Sequence, residues 1–370
     1  MAISGHGSQV SLRNYISRSS REQVRACSDI LSEALSGRPH QSLQPSFTTL
    51  SSRAIFIVRR IPPVHADTKP RVVTSKDKPF TAPLVSESAV IRFRGLEREI
   101  QDNIGERGIA KLHNADELLR AALVLSRSSS VGIHFGFPCN TNNEFPDETD
   151  DPLGAIALGK DLKTLGKEVT FIASYYYVKL VQVLVETFLG NMACVVEFTP
   201  SSGRTEEGRY MSMKARDLSD ICKVSPVDEV LIQAKKSGKI STVGIGDGGN
   251  EIGMGKVHQR VVDGVTNGRH IATRVSTDHL ITSGVSSWGG SALVAALAIL
   301  NQCPVHSPYV RRRIAPDTAV LTEEVLNTVE MEEDILKCIV GLGVCDGILQ
   351  KRDVCGWSTI PSTKKNCKDC

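Results

Sequence analysis

The sequence has no apolar run long enough to cross a bilayer. A spanning helix needs about 20 consecutive apolar residues, and the nearest stretch, residues 291–300, reaches only half of that. No membrane partner is expected. A surplus of one charge is also missing: 44 Lys/Arg against 41 Asp/Glu give a net charge of +3 over 370 residues, too little to imply nucleic acid or another polyanion as partner. His134, His279 and His306 form no HxH or HExxH pattern, so they read as structural residues and not as a metal set. The ten cysteines lack the spacing of a disulfide framework. Five are scattered from Cys27 to Cys303, and five lie between Cys338 and Cys370, ending in a lone CxxC that supplies two of the four ligands of a structural zinc. Reduced thiols are expected.

What is present is enough apolar material for a core, 41% of the chain, and an uneven distribution of charge. Residues 1–80 hold 12 Lys/Arg against 5 Asp/Glu, so the remainder is mildly acidic, with 32 against 36. Arg13, Arg18, Arg21 and Arg25, with Leu12, Tyr15 and Ile16 on one face of a short helix, fit an organelle presequence or an ordinary basic arm. Residues 55–58 have the composition of a strand, but Pro62, Pro63, Pro70 and Pro79 follow, and the segment reads more simply as linker.

From about Val90 helices and short apolar strands alternate, the pattern of a parallel sheet with crossover helices. Asn114 is placed to cap a helix with Leu118, Ala122 and Leu125 on one face. Strands are expected at 131–135, 169–173, 193–198, 241–245 and near 270–275, and helices through Leu158 to Leu165, 178–188, Val227 to Ala234, 290–300 and 323–340. The fold class is therefore α/β, a three-layer Rossmann-like domain with a mostly parallel sheet behind a basic, largely irregular arm. The expected division is 1–88 arm, 89–346 α/β domain and 347–370 irregular Cys-containing tail.

Residues 241–256, STVGIGDGGNEIGMGK, run from an apolar strand straight into closely spaced glycines. Gly244, Gly246 and Gly249 satisfy GxGxxG, but late in the domain, and no Walker lysine spacing exists. A backbone nest at the carboxyl end of a strand, flanked by Asp247, Asn250 and Glu251, suits a small carboxylate substrate better than a nucleotide. Six glycines, from Gly244 to Gly255, exceed what a turn needs, so a ligand site is favoured over tight packing. A second glycine-rich junction, GVSSWGG at 284–290, places Trp288 and Gly289 near a helix amino terminus able to receive an anion. An acidic loop after the first domain strand offers Glu148 and Asp150 to a divalent ion. No cofactor is required by these residues, and that ion is the one candidate.

Taken in order, the 241–256 and 284–290 segments with GFP at 136–138 and ETD at 148–150 resemble the carboxyl-terminal domain of the mitochondrial D-glutamate cyclase family, over about residues 90–313. The resemblance implies a hydro-lyase that converts D-glutamate to 5-oxo-D-proline and water in the mitochondrial matrix, the cytoplasm being the alternative. Asp247 and Glu251 would exchange protons, and Gly246, Gly248, Gly249, Asn250, Arg204, Trp288 and Gly289 would bind substrate. Around TPSSGR at 199–204 the chain is shorter than the family pattern. A module that binds a metabolite or nucleotide with impaired turnover is therefore the alternative function.

Overall fold

A computed structural model describes residues 53–59, 85, 87–101, 108–136, 148–149, 151–174, 177–190, 194–198, 203–219, 227–238, 240–302, 306 and 329–345. The helical periodicity from Leu12 to Leu35, Asp150 and the tail from residue 347 lie outside these residues.

The described residues form a mixed α/β structure with parallel strands. Its strands are β1 (Arg53–Arg59), β2 (Ser130–Phe135), β3 (Glu168–Ser174), β4 (Cys194–Phe198), β5 (Ile240–Gly246) and β6 (His279–Thr282). They lie in the order β4-β3-β2-β1-β5-β6. β2, β3 and β4 pair in parallel, as do β5 and β6, while β1 runs antiparallel to both β2 and β5. The chain builds outward from β2 on one side and from β5 on the other, so the sheet reverses its direction of growth across β1.

The apolar alternation within each strand sets the core face. Val131, Ile133 and Phe135 of β2, Val169, Phe171 and Ala173 of β3, and Val243 and Ile245 of β5 all enter one buried cluster. Phe135 and Phe171 meet edge to face, with ring centroids 6.2 Å apart. Packed on this cluster is α8 (Ser286–Gln302), which is buried along nearly its whole length because it touches α1 (Glu87–Glu99), α2 (Glu117–Arg127) and α3 (Asp151–Thr164) as well as the sheet. The crossing of α3 and α8 is backbone against backbone: a Cβ on Gly290 would stand 2.7 Å from Gly154 Cα. The remaining helices are α4 (Val178–Phe188), α5 (Val227–Ser237), α6 (His258–Gly264), α7 (Gly268–Ile271) and α9 (Val329–Gly341).

Four expectations are corrected. Residues 53–59, read as linker within a removable arm, form β1 at the middle of the sheet, with Ala54 opposite Phe135 and Arg53 opposite Gly246. The strand expected near 270–275 is β6 at His279–Thr282, and Gly268–Ile271 is a short helix. Residues 286–289 belong to α8, whose start was expected at Gly290. Helix α2 is capped at Asp116 and not Asn114, and the capping carboxylate comes from elsewhere: Glu97 of α1 accepts hydrogen bonds from Asp116 N at 3.1 Å and Leu118 N at 3.0 Å. A side chain from another helix thus satisfies the first amides that a local cap would have taken.

The position of β1 has a direct test. A fragment beginning at residue 51 keeps both β1 ladders, whereas one beginning at residue 61 opens the sheet between β2 and β5. The shorter fragment is expected to unfold at a much lower urea concentration, and equal midpoints would remove β1 from the sheet.

Candidate active site

The chain leaves β5 at Gly246 and returns onto the strand it has just left. Val243 and Ile245 face α8, so Gly244 and Gly246 face the opposite side. A Cβ on Gly244 would stand 3.0 Å from the Ile252 carbonyl oxygen, and one on Gly246 would stand 2.5 Å from Met254 Sδ. Residues 252–254 therefore lie directly on the β5 backbone. They are held there by hydrogen bonds from Gly253 N and Gly255 N to the Val275 carbonyl, at 2.9 and 3.1 Å. Gly249 has φ +120°, a conformation that L side chains rarely adopt. The reading that these glycines exceed the needs of a turn is thus corrected in part, because close packing of the returning loop accounts for Gly244 and Gly246.

This fold-back takes three polar side chains out of water. Asp247, Asn250 and Glu251 are all fully buried. Asn250 Nδ2 donates to the Met211 carbonyl at 2.6 Å. Glu251 Oε2 accepts from Gly249 N at 2.6 Å, while its Oε1 has no hydrogen-bond partner among the described residues. A Cβ on Gly248 would stand 2.8 Å from that Oε1 and closer still to Met213 Sδ, so glycine lets the loop, the carboxylate and Met213 pack together. One carboxylate oxygen of Glu251 is thus pinned by the loop's own amide, and the other is left without a partner among the described residues.

The second glycine junction reaches the same edge of the sheet. Thr282 lies opposite Gly246 in the β5–β6 ladder, and Ser283 N donates to the Gly246 carbonyl at 3.1 Å. Trp288 and Gly289 occupy the first turn of α8, and a Cβ on Gly289 would stand 2.6 Å from Ile245 Cγ2. Thr282 Oγ1, Ser283 Oγ and Trp288 Nε1 are buried and have no hydrogen-bond partner among the described residues. Sequence reasoning passed over Thr282 and Ser283. Their signal was the change from apolar to hydroxyl residues at the end of β6, just before Gly284.

Glu148 and Thr149 are buried immediately before α3, whose Gly154 contacts Ser287 and Gly290 of α8. The acidic loop thus ends near the first turns of α8. Among the described residues no three metal-ligating side chains converge, and Glu148 is the one described member of the expected Glu148 and Asp150 pair.

Arg204 is directed elsewhere than expected. Its Nε pairs with Asp228 at 2.5 Å and its Nη2 with Glu229 at 2.9 Å, so the guanidinium joins its own segment to α5. Burial pushes the Asp228 carboxyl upward in pKa, and Arg204 pulls it back. The Arg204 backbone does adjoin the glycine loop, since Gly203 N donates to the Asn250 carbonyl at 3.2 Å. The far end of that loop is fixed by Lys256, whose Nζ lies 2.8 Å from both carboxylate oxygens of Glu117 and 2.8 Å from the Asp278 carbonyl. Leu280 N donates to the same carboxylate at 2.8 Å. Beside it, burial lowers His279 to about 4, so that imidazole stays neutral.

Fold and site together define an α/β protein that gathers buried polar groups at the carboxyl ends of β5 and β6, where open α/β sheets place their ligands. The chain belongs to the D-glutamate cyclase-like family, matching its C-terminal model over residues 96–202 and 198–355. It is 36% identical over 325 residues to human "D-glutamate cyclase, mitochondrial", an alignment covering 78% of this chain and 51% of the human protein. The chain therefore spans about half the length of this curated relative.

Lys256→Met would leave the buried Glu117 carboxylate without its cation. Because Lys256 is itself partly exposed, the expected loss of stability is about 2–4 kcal/mol. A Lys256→Met, Glu117→Met double variant should recover part of this loss in urea unfolding. Additive losses would mean that the two side chains do not interact.

Proposed function

We propose that this chain is a D-glutamate cyclase, a hydro-lyase closing D-glutamate to 5-oxo-D-proline. The observation that carries this reading is the 36% identity over 78% of the chain to the human protein of that name. In the reaction the neutral α-amine attacks the γ-carboxyl carbon, a C–N bond forms, a C–O bond breaks, and one carboxyl oxygen leaves as water. Counted from the ammonium and carboxylate forms, nitrogen gives up two protons, one to become the neutral amine and one after attack; both leave with one γ-carboxylate oxygen as water, and the lactam nitrogen keeps one hydrogen. Glu251 accepts a proton from the attacking amine through Oε1 and returns it to the departing oxygen. Asp247, buried on the same loop, is the second proton carrier. Asn250 and the Gly248 amide stabilise the tetrahedral oxyanion, while the Gly249 amide holds Glu251 Oε2.

The family match comes in two stretches that meet at residues 198–202, the place where the sequence is shorter than the family pattern. This favours one rival, binding of the same metabolite without turnover. We read the fold as a three-layer Rossmann-like domain because at β5 the glycine loop and α5 cover the face opposite α8: Ile252 clusters with Val227 and Leu231 of α5. The relative's name supports a mitochondrial location, and within the organelle we propose the matrix. A reporter fused to residues 1–40 should enter mitochondria, and a purely cytosolic signal would remove that assignment.

Incubation of purified protein with D- and L-glutamate, with and without a divalent ion, and chiral detection of 5-oxoproline tests the activity. Product from neither enantiomer under either condition would overturn it. Glu251→Gln or Asp247→Asn is expected to lower kcat by about a hundredfold or more at nearly unchanged melting temperature. Near-normal turnover in both variants would place the proton carriers outside the glycine loop.

A further inference from the structure

The end of β6 presents two consecutive hydroxyl residues to opposite faces of the sheet. Thr282 lies opposite Gly246 and shares its face, which is the Glu251 face: a Cβ on Gly246 would stand 3.4 Å from Glu251 Oε2. Ser283, one residue on, faces α8, and its Oγ lies 3.2 Å from where a Cβ on Gly289 would stand, beside that helix's first turn. Its hydroxyl is fully buried and has no hydrogen-bond partner among the described residues. Trp288 Nε1, on the first turn itself, is also buried without a partner. Two donors of this kind beside the amino end of a 17-residue helix are what a carboxylate needs. The junction is held before any ligand arrives, by Ser283 N on the Gly246 carbonyl, Gly284 N on the Ile100 carbonyl and Trp288 N on the Val285 carbonyl.

We propose that Ser283 Oγ, Trp288 Nε1 and the first turn of α8 hold the substrate's α-carboxylate, the one that survives into the product, while its amine and γ-carboxyl lie across the strand end toward Glu251. The inference rests on the cyclase reading for the identity of the ligand. It also replaces the guanidinium that Arg204 would have supplied, since that group is engaged by Asp228 and Glu229. The site recognises a small monocarboxylate or dicarboxylate through neutral donors and a helix dipole, with no side-chain cation.

A hydroxyl with no partner among the described residues gives a distinctive variant, because removing it leaves no described group unsatisfied. Ser283→Ala should melt at or above the temperature of the parent protein when free of ligand. It should lose the thermal stabilisation that 5-oxo-D-proline gives the parent, and Trp288→Phe should lose part of it. The carboxamide of 5-oxo-D-proline, which lacks the carboxylate, should stabilise neither. With D-glutamate as substrate, Ser283→Ala should raise KM about tenfold or more with kcat within about threefold, the reverse of the pattern expected for Glu251→Gln. Equal stabilisation of parent and Ser283→Ala by 5-oxo-D-proline, or an unchanged KM, would overturn the subsite while leaving the cyclase reading intact. Ser283-dependent binding of 5-oxo-D-proline without turnover would support the subsite and overturn the cyclase activity. Absence of both binding and turnover would overturn both.

Discussion

The site depends on one steric constraint: the chain after β5 must lie on the backbone of β5 itself. Two glycines make that approach available, since side chains at 244 and 246 would collide with Ile252 and Met254. Everything polar in the loop follows from it. Asp247, Asn250 and Glu251 are buried because the strand forms one wall, and Glu251 must place its carboxylate within the loop's own turn, where the Gly249 amide meets one oxygen. The other end of the loop is fastened electrostatically, through Lys256 to Glu117 and the Asp278 carbonyl. That bridge joins α2, the loop and β6, so the elements carrying Glu251 and Ser283 are held in one frame.

Charge in this region is mostly internal. Arg204 is matched by Asp228 and Glu229, Lys256 by Glu117, and buried carboxylates outside these pairs draw on backbone amides. A buried pair of this kind contributes little net stability, because desolvation opposes the Coulomb attraction, yet losing one partner is costly. The consequence for binding is that the described cations nearest the glycine loop are already engaged. On the proposed cyclase reading, an anionic substrate is met instead by helix amides, hydroxyls and the indole N–H, groups that give direction without forming a competing ion pair with Glu251.

Element type was legible wherever periodicity was strong. The helix at Val178–Phe188 and the strands around Val131, Val169 and Val243 stand where the apolar spacing put them, because burial on one face selects that spacing. The central strand β1 was not legible, since its composition at 53–59 becomes a strand only through partners at 130–135 and 240–246. Prolines after it weighed locally toward linker, and nothing local reveals a slot between two distant strands. The cap of α2 was missed for the same reason, as Glu97 is 19 residues from the amide it accepts. In the glycine loop the glycines were read for a ligand, whereas Gly244 and Gly246 are required by the close approach of Ile252 and Met254, a fold-back that spacing alone does not reveal. Ser283 was passed over because a single hydroxyl carries no pattern; what marks it is burial without a partner.

Two carboxyls away from the glycine loop, Asp161 of α3 and Glu332 of α9, are each pushed to about 8 by burial. These helices pack together on the far part of α3 from Gly154, and Glu332 owes its shift to desolvation alone. Both groups take up protons on folding, so they favour the folded state at acid pH, and that contribution is lost as pH rises from about 4 toward about 8. His279 acts in the opposite sense: held neutral, it favours the folded state above about 6.5 and loses that contribution as pH falls toward about 4. Buried side-chain oxygens without a hydrogen-bond partner among the described residues stand at the carboxyl ends of β5 and β6, on Glu251, Thr282 and Ser283, and also where α3 meets α9, on Asp161 and Glu332. At α3 and α9 they accompany raised carboxyls and simple burial, whereas at β5 and β6 they stand beside the glycine loop and the first turn of α8.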